Sequence, residues 1–534
     1  MRLLHVMPAR TVPPRWRDRA AHIGVGAVLG VLTLFLSLPC AAATLRWAAR
    51  ADVRSLDPYA GRETFLRSFT ENIYEPLVRR GRELALEPGL ATSWKVVAPD
   101  RWRFALRPGV VFQGGEAFTA ADVVYSFTRA RAPESRIGTV LASIASVRAL
   151  DPMTVEIATN GPDPLLLDEL SRWPIMSRAW CEAHAADADF AADHADGTGP
   201  FMLVARVPDK ETVLVPNPHW WDKPTHDLDR VEFTPIADPD MLVAALAAHD
   251  IDMIYDVPPQ DADRIARMPG LAIVEGPALE TIFLGFDVAR EQSPDGARNP
   301  FKDRRIREAF AHGIDEAAII ARVMRGHATP AGLVVGPGIE GYDRALDTRP
   351  AYDPALARRL LAGAGFGQGF ATPMDCPTDR YVNDEAICEQ IVADLARIGV
   401  KVTLDAESRA DFFDKIMPPG RRTSFFLLGG EPASDDAQGM LVDLAATRDP
   451  AAHQGGFNIA GYSNPALDRL VARARAETDL GERRALLRRA LTIVKNDLPY
   501  LPLHRQNILW AVSADIELVQ RPDDTFPLRY VRMK

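Results

Sequence analysis

Between residues 90 and 130 the spacing of apolar and polar positions changes several times, and each change marks an element. Large residues alternate over 93–97 and again over 102–106, on either side of the turn-forming pair Pro99-Asp100, which predicts a half-buried hairpin. Arg107-Pro108-Gly109, the short apolar run Val110-Val111-Phe112 and a glycine turn at Gly114-Gly115 follow. The spacing then lengthens: Val123, Val124 and Phe127 recur as one stripe of a helix. Thr119 stands where a cap is needed, and Asp122 three residues on completes a capping box.

Downstream, helix-like and strand-like patterns alternate. Helical spacing covers 240–248, 302–325 as one long helix, 354–361 behind a cap at Asp353, and 384–398. Strand patterns fall at 251–255 and 400–404. Such alternation predicts an α/β fold with crossover connections. No fixed repeat appears, which disfavours a solenoid or propeller. Nearly 500 residues behind the N-terminal segment exceed what one hydrophobic core serves, so two or three lobes are expected.

The N-terminal segment reads as an address. Arg10, Arg15, Arg17 and Arg19 precede an apolar run over 25–38, shorter than the roughly 20 residues a membrane helix needs. Ala41-Ala42-Ala43 closes it, so residues 1–43 read as a secretory signal cleaved before Thr44, with Met7 an alternative start. An uncleaved anchor is the competing reading. Lipidation at Cys40 is disfavoured, because Ser37-Leu38-Pro39 is a poor lipobox. The mature chain is expected in the periplasm.

Removing the five Arg and one Asp of residues 1–43 from 62 basic and 72 acidic residues leaves a net charge of −14. With no basic stripe to offset it, that balance argues against nucleic acid as a partner. Cys181, Cys376 and Cys388 remain after cleavage. In an oxidising compartment Cys376 and Cys388 either bridge, stabilising by about 3 kcal/mol, or stay as two thiols.

Familiar catalytic spacings are missing: there is no Walker A loop, G-x-S-x-G, H-E-x-x-H or C-x-x-C, so catalytic residues are none. The glycines of 363–369 fail G-x-G-x-x-G and follow a helix, where Gly ends a helix and turns the chain. His219 and His226 are the closest histidine pair, and with no paired ligand spacing the expected metal and cofactor set is none.

The order Ser93-Trp94, Leu106-Arg107, Phe112 to Gly115 and Thr119 to Ser126 resembles the signature of the family 5 extracellular solute-binding proteins, the peptide and nickel receptors of bacterial ABC importers. Thr92 stands where the family usually has an acid, and Gln113 where it has a histidine. Further blocks in the family's order are Thr198-Gly199-Pro200-Phe201, Asn217-Pro218-His219-Trp220-Trp221 and the stretch 301–315. Later matching blocks lie at 352–366, 462–467 and 498–503.

The resemblance implies a type II periplasmic-binding-protein-like α/β fold, in which two lobes close on a ligand and a further lobe is inserted early in the chain. Lobe I would combine 44–82, 197–275 and 501–534, the inserted lobe II would span 83–196, and lobe III would span 276–500. Chain crossings between lobes would form the hinge.

It also implies where a ligand sits. The apolar run 425–428 emerges into Gly429-Gly430 and then Glu431, Asp435 and Asp436, placing carboxylates at a strand's carboxyl end, where open α/β sheets bind ligands. Peptide-binding relatives pair an aspartate there with the ligand's α-amino group, and here Glu431 or Asp436 aligns with it. The family's aromatic residue after the first glycine is replaced by Gly430. Asp57 and Tyr59 belong to a family segment that borders the cleft, although a core role is open for Tyr59. Arg380, beside Tyr381, fits a ligand carboxylate or a plain surface position.

These readings give a monomeric receptor that captures a small peptide or peptide-like solute and delivers it to an ABC permease. The alternative is a nickel chelate, haem, glutathione, opine or sugar-like solute on the same scaffold. A remote alternative is an exported hydrolase.

Overall fold

The computed structural model describes residues 43–61, 63–418, 420–432, 434–452 and 454–534. The signal-peptide, start-site and Cys40 expectations lie outside these residues. Among them, no helix is long and apolar enough to cross a membrane.

An 11-stranded mixed sheet runs through the molecule. At one end the strands Val400–Glu407, Phe370–Pro377 and Phe425–Gly430 lie parallel to one another. At the other, Thr44–Ala49 pairs parallel with Arg230–Pro235, which continues antiparallel through Glu211–Pro216 to Phe201–Val207. Two long antiparallel strands, Leu271–Phe286 and Tyr500–Ser513, join the ends. Their ladder is interrupted between Pro277 and Thr281, a bulge that leaves Ala278 to Glu280 out of register and re-aims their side chains.

Alternation along the joining strand explains why the sheet is covered on both sides. Phe283 packs with Phe426 and Leu428 in one buried cluster, while Ile282, Leu284 and Phe286 pack with Phe425 and Leu427 in another. Successive side chains leave opposite faces of a strand, so an almost unbroken apolar run feeds two cores at once.

Residues 90–130 contribute two strands to a separate four-stranded antiparallel sheet, ordered Ala91–Ala98, Arg101–Leu106, Thr154–Thr159 and Ile144–Asp151. The capping box is present: Thr119 accepts from Ala121, and the Asp122 carboxylate accepts the Thr119 amide at 2.8 Å. The hairpin differs from expectation in one respect. Its first strand is an edge, and Val96 and Val97 are exposed, so only the second strand shows the alternation of a half-buried strand. The helix Ala120–Ala130 covers this sheet, and its core is continuous with that around Trp47 and Phe233.

The long helix expected over 302–325 is interrupted. It runs Arg304–Gly313, stops at Ile314, and restarts after Asp315, whose side chain accepts from Ala318 and caps a new short helix. The other helices fall near their expected places, at Pro239–Ala247, Pro354–Gly363 and Asp384–Ala396. The strand expected over 251–255 shortens to Met253–Ile254.

Candidate functional site

The carboxyl ends of Phe370–Pro377 and Phe425–Gly430 open beside the bulge of the joining strand, and the loops leaving them meet there. Gly429 pairs with Ile282 and Gly430 with Thr281. Beyond that last pair Glu280 and Glu431 follow on the two strands, near enough for the charge of Glu431 to act on Glu280. Two carboxylates thus share the mouth of the sheet, and Arg380 lies 3.2 Å from Glu280.

Their environments differ. Glu431 is exposed, with no hydrogen-bond partner among the described residues. Glu280 is held in the bulge, and burial pushes its acid well up, to about 7; Arg380 opposes that rise and Glu431 adds to it. Burial thus favours the protonated form of Glu280, and a cation placed beside it would favour the charged form. Chemically, the arrangement offers carboxylates to a cation, with a guanidinium at its rim.

The loop 378–383 is fixed from several directions. The backbone amides of Arg380 and Tyr381 both donate to the Asp384 carboxylate at 3.0 Å. Gln506, on the strand Tyr500–Ser513, holds Val382 by donating to its carbonyl at 2.9 Å. Cys376 and Cys388 are disulfide-bonded, with Cα atoms 6.6 Å apart, closing the loop at its base. The Tyr381 hydroxyl donates to the Gly429 carbonyl at 3.2 Å, and burial pushes that phenol up to about 12. A side chain at Gly429 would meet the Tyr381 ring at 2.6 Å, so this close approach requires glycine.

Of the residues singled out in the sequence, Arg380, Tyr381, Gly429, Gly430 and Glu431 come together here. The rest do not. Asp57 is paired with Arg129 at 2.6 Å, and Tyr59 is buried with its hydroxyl donating to the Pro174 carbonyl and accepting from Trp173. Asp436 is buried against Arg483, whose second nitrogen donates at 3.1 Å, and it caps the helix Ala437–Met440 by accepting from Gln438. Asp435 is buried between Arg80 and Arg172. The expectation that Asp436 faces a ligand is therefore corrected: a buried carboxylate beside a buried guanidinium is already neutralised.

Glu280 was missed in the sequence. The one available signal was a charged residue inside an apolar strand run, Gly276 to Phe286, following a proline. Metal chemistry has a weaker footing. His226 packs on Phe201, and the carboxylate trio Asp375, Asp405 and Glu407 surrounds the Lys415 ammonium, 2.6 Å from Asp375.

A model of the bacterial extracellular solute-binding proteins, family 5, matches residues 85–449. The chain belongs to this family. It is a family of binding proteins that serve ABC transporters, and the mixed α/β fold matches that of its solved structures. The glutathione-binding protein GsiB of Shigella dysenteriae is 26% identical over 509 residues, covering 93% of this chain and 96% of that protein. GsiB of Salmonella typhimurium is 26% identical over 92% of this chain and 94% of its own length. Among solved structures, HbpA2 from Haemophilus parasuis superposes with a TM-score of 0.82 at 22% identity, covering 92% of this chain and all of that one. The murein tripeptide-binding protein MppA, in its unliganded open form, gives a TM-score of 0.80 at 22% identity, covering 92% and 98% of the two chains.

Proposed function

We propose that this family 5 chain is a periplasmic receptor that captures a peptide or peptide-like solute by its free ammonium, between Glu280 and Glu431, and delivers it to an ABC permease. The observation that carries this reading is the closeness of those two carboxylates at the sheet mouth, with Arg380 at the rim. A charge-assisted contact of this kind is selective, since a ligand without its ammonium leaves Glu280 held in a site that disfavours its charge. Loss of the aromatic residue after Gly429 leaves less surface for stacking, so charge carries more of the recognition.

Lobe I (44–82, 197–275, 501–534) and lobe III (276–500) would close about the joining strands, with 83–196 as the added lobe. Closure would be driven only by contacts that differ between the two states. Glutathione is one ligand within this class, having an ammonium and amide bonds, and the name of the curated relatives supports placing it among the first to try.

The test is thermal stabilisation by dipeptides, oligopeptides and glutathione beside the same compounds acetylated at the amine, with native mass spectrometry of any ligand retained through purification. Stabilisation by free amines that disappears on acetylation and in Glu280→Gln or Glu431→Gln is expected. Equal stabilisation by acetylated compounds would overturn the ammonium reading, and a retained solute without an amine would overturn the ligand class.

A further inference from the structure

Asp435 joins three separate parts of the chain. Its carboxylate receives Arg80 Nε, from the strand Val78–Arg80, at 3.1 Å, and Arg172 Nη2, just beyond the helix Leu166–Ser171, at 2.8 Å. Its amide donates to the Asp168 carboxylate at 3.2 Å, and its carbonyl accepts from the Glu340 amide at 2.8 Å. Arg80 also holds Asp168, so two acids and two guanidiniums close into one buried knot. Beside it, Leu84 at the tip of the hairpin Val78–Pro88 is buried among Phe283, Leu333 and Ile339.

The knot stands close to the ligand site. Glu431 and Asp435 are four residues apart, so their Cα atoms are separated by at most about 14 Å, whatever path the loop takes. The knot also borders a second space, a cavity of about 950 Å3 lined by Arg80, Leu84, Asp168, Glu340, Asp435 and Arg484, among others. None of Glu280, Arg380, Tyr381, Gly429, Gly430 or Glu431 borders that cavity.

We infer that Asp435 determines specificity for ligand length, its knot with Arg80 and Arg172 acting as a wall between the ammonium site and the outer cavity. This rests on the proposed peptide reading. A ligand anchored at Glu280 and Glu431 and running toward the knot has room for at most about four extended residues before it meets the wall. Longer ligands must break the ion pairs, which strands a buried charge. With the wall opened, the outer cavity becomes the continuation of the site, and its exposed Arg344 suits a carboxylate end.

Calorimetric affinities of a homologous series from tripeptide to hexapeptide test this, with wild type, Asp435→Asn and, as an independent disruption of the same wall, Arg172→Gln. The ratio of hexapeptide to tripeptide affinity is the readout, because it cancels any loss of folded protein. Wild type should bind tripeptides and discriminate against hexapeptides, and either variant should raise the ratio about tenfold, the change expected for roughly 1.4 kcal/mol. Wild type binding hexapeptides as tightly as tripeptides, or an unchanged ratio in both variants, overturns the wall. No binding of any peptide, with binding of another solute, instead removes the peptide reading and the length limit with it.

Discussion

Glu280 and Arg380 approach to 3.2 Å at the mouth of the central sheet, yet the glutamate's acid stays raised to about 7. A guanidinium at the rim is thus too weakly engaged to offset the burial that the bulge imposes. Since Glu280 binds a proton more tightly in the folded chain than when unfolded, folding takes up a proton between the ordinary glutamate range and about pH 7. Stability is full below that window and falls as pH rises through it. Glu280→Gln should remove this fall and gain about 1–3 kcal/mol above pH 7, as measured by urea unfolding across pH 4.5–8. A variant that keeps the wild-type pH slope would place the titration elsewhere.

Ligand capture should reverse the sign. An ammonium beside Glu280 favours its charged form, so binding releases a proton near neutral pH and strengthens as pH rises through about 7. Calorimetry in two buffers of different ionisation enthalpy measures that proton directly, and Glu280→Gln should abolish the difference between them.

Asp436→Ala should act on the fold and leave the ligand site alone. Its removal strands Arg483, which is almost fully buried, at a cost of about 3–5 kcal/mol. Denaturant midpoints of this variant and of Glu431→Ala separate the roles: the first should unfold early, and the second should keep its midpoint while losing affinity for amines.

Gly429→Ala forces a methyl group to within 2.6 Å of the Tyr381 ring and 2.8 Å of Ile282. Overpacking of this kind costs about 1–3 kcal/mol and pushes the loop bearing Arg380 away from Glu280. Weakened ligand binding is expected, partly restored by the double change Gly429→Ala with Tyr381→Leu, which shortens the side chain in the way. Equal affinity for Gly429→Ala and wild type would show that this loop does not set the site.

Reduction of the Cys376–Cys388 bridge, or replacement of both residues by Ala, should lower stability by about 3 kcal/mol, read as a fall in Tm with and without reductant. Affinity should fall as well, because the bridge closes the loop that presents Arg380.

Much of this molecule is written locally. The capping box at Thr119 and Asp122, the helix opened by Asp353, and the turn between 98 and 101 arise within a few residues and were legible in order. Failures share one cause: partners distant in sequence. Val96 looked half-buried by alternation, but whether a strand lies at an edge depends on which strands pair with it. Asp436 looked like a ligand contact because it follows a strand's carboxyl end where relatives place an aspartate, and its partner Arg483 lies 47 residues away. The break after Gly313 was overlooked because Asp315 competes as a cap within an otherwise helical pattern.

The sequence alone determined an α/β protein, because periodicity, caps and turns act over short distances, and the order of its motifs carried the resemblance to the solute-binding proteins. Of its nine candidate ligand residues, the fold gathers Arg380, Tyr381, Gly429, Gly430 and Glu431 at the sheet mouth. Tertiary structure decided which carboxylates are available. Burial and ion pairing across distant segments neutralise Asp57, Asp435 and Asp436, while a bulge in the joining strand sets Glu280 beside Glu431, and charge is settled by those three-dimensional neighbours.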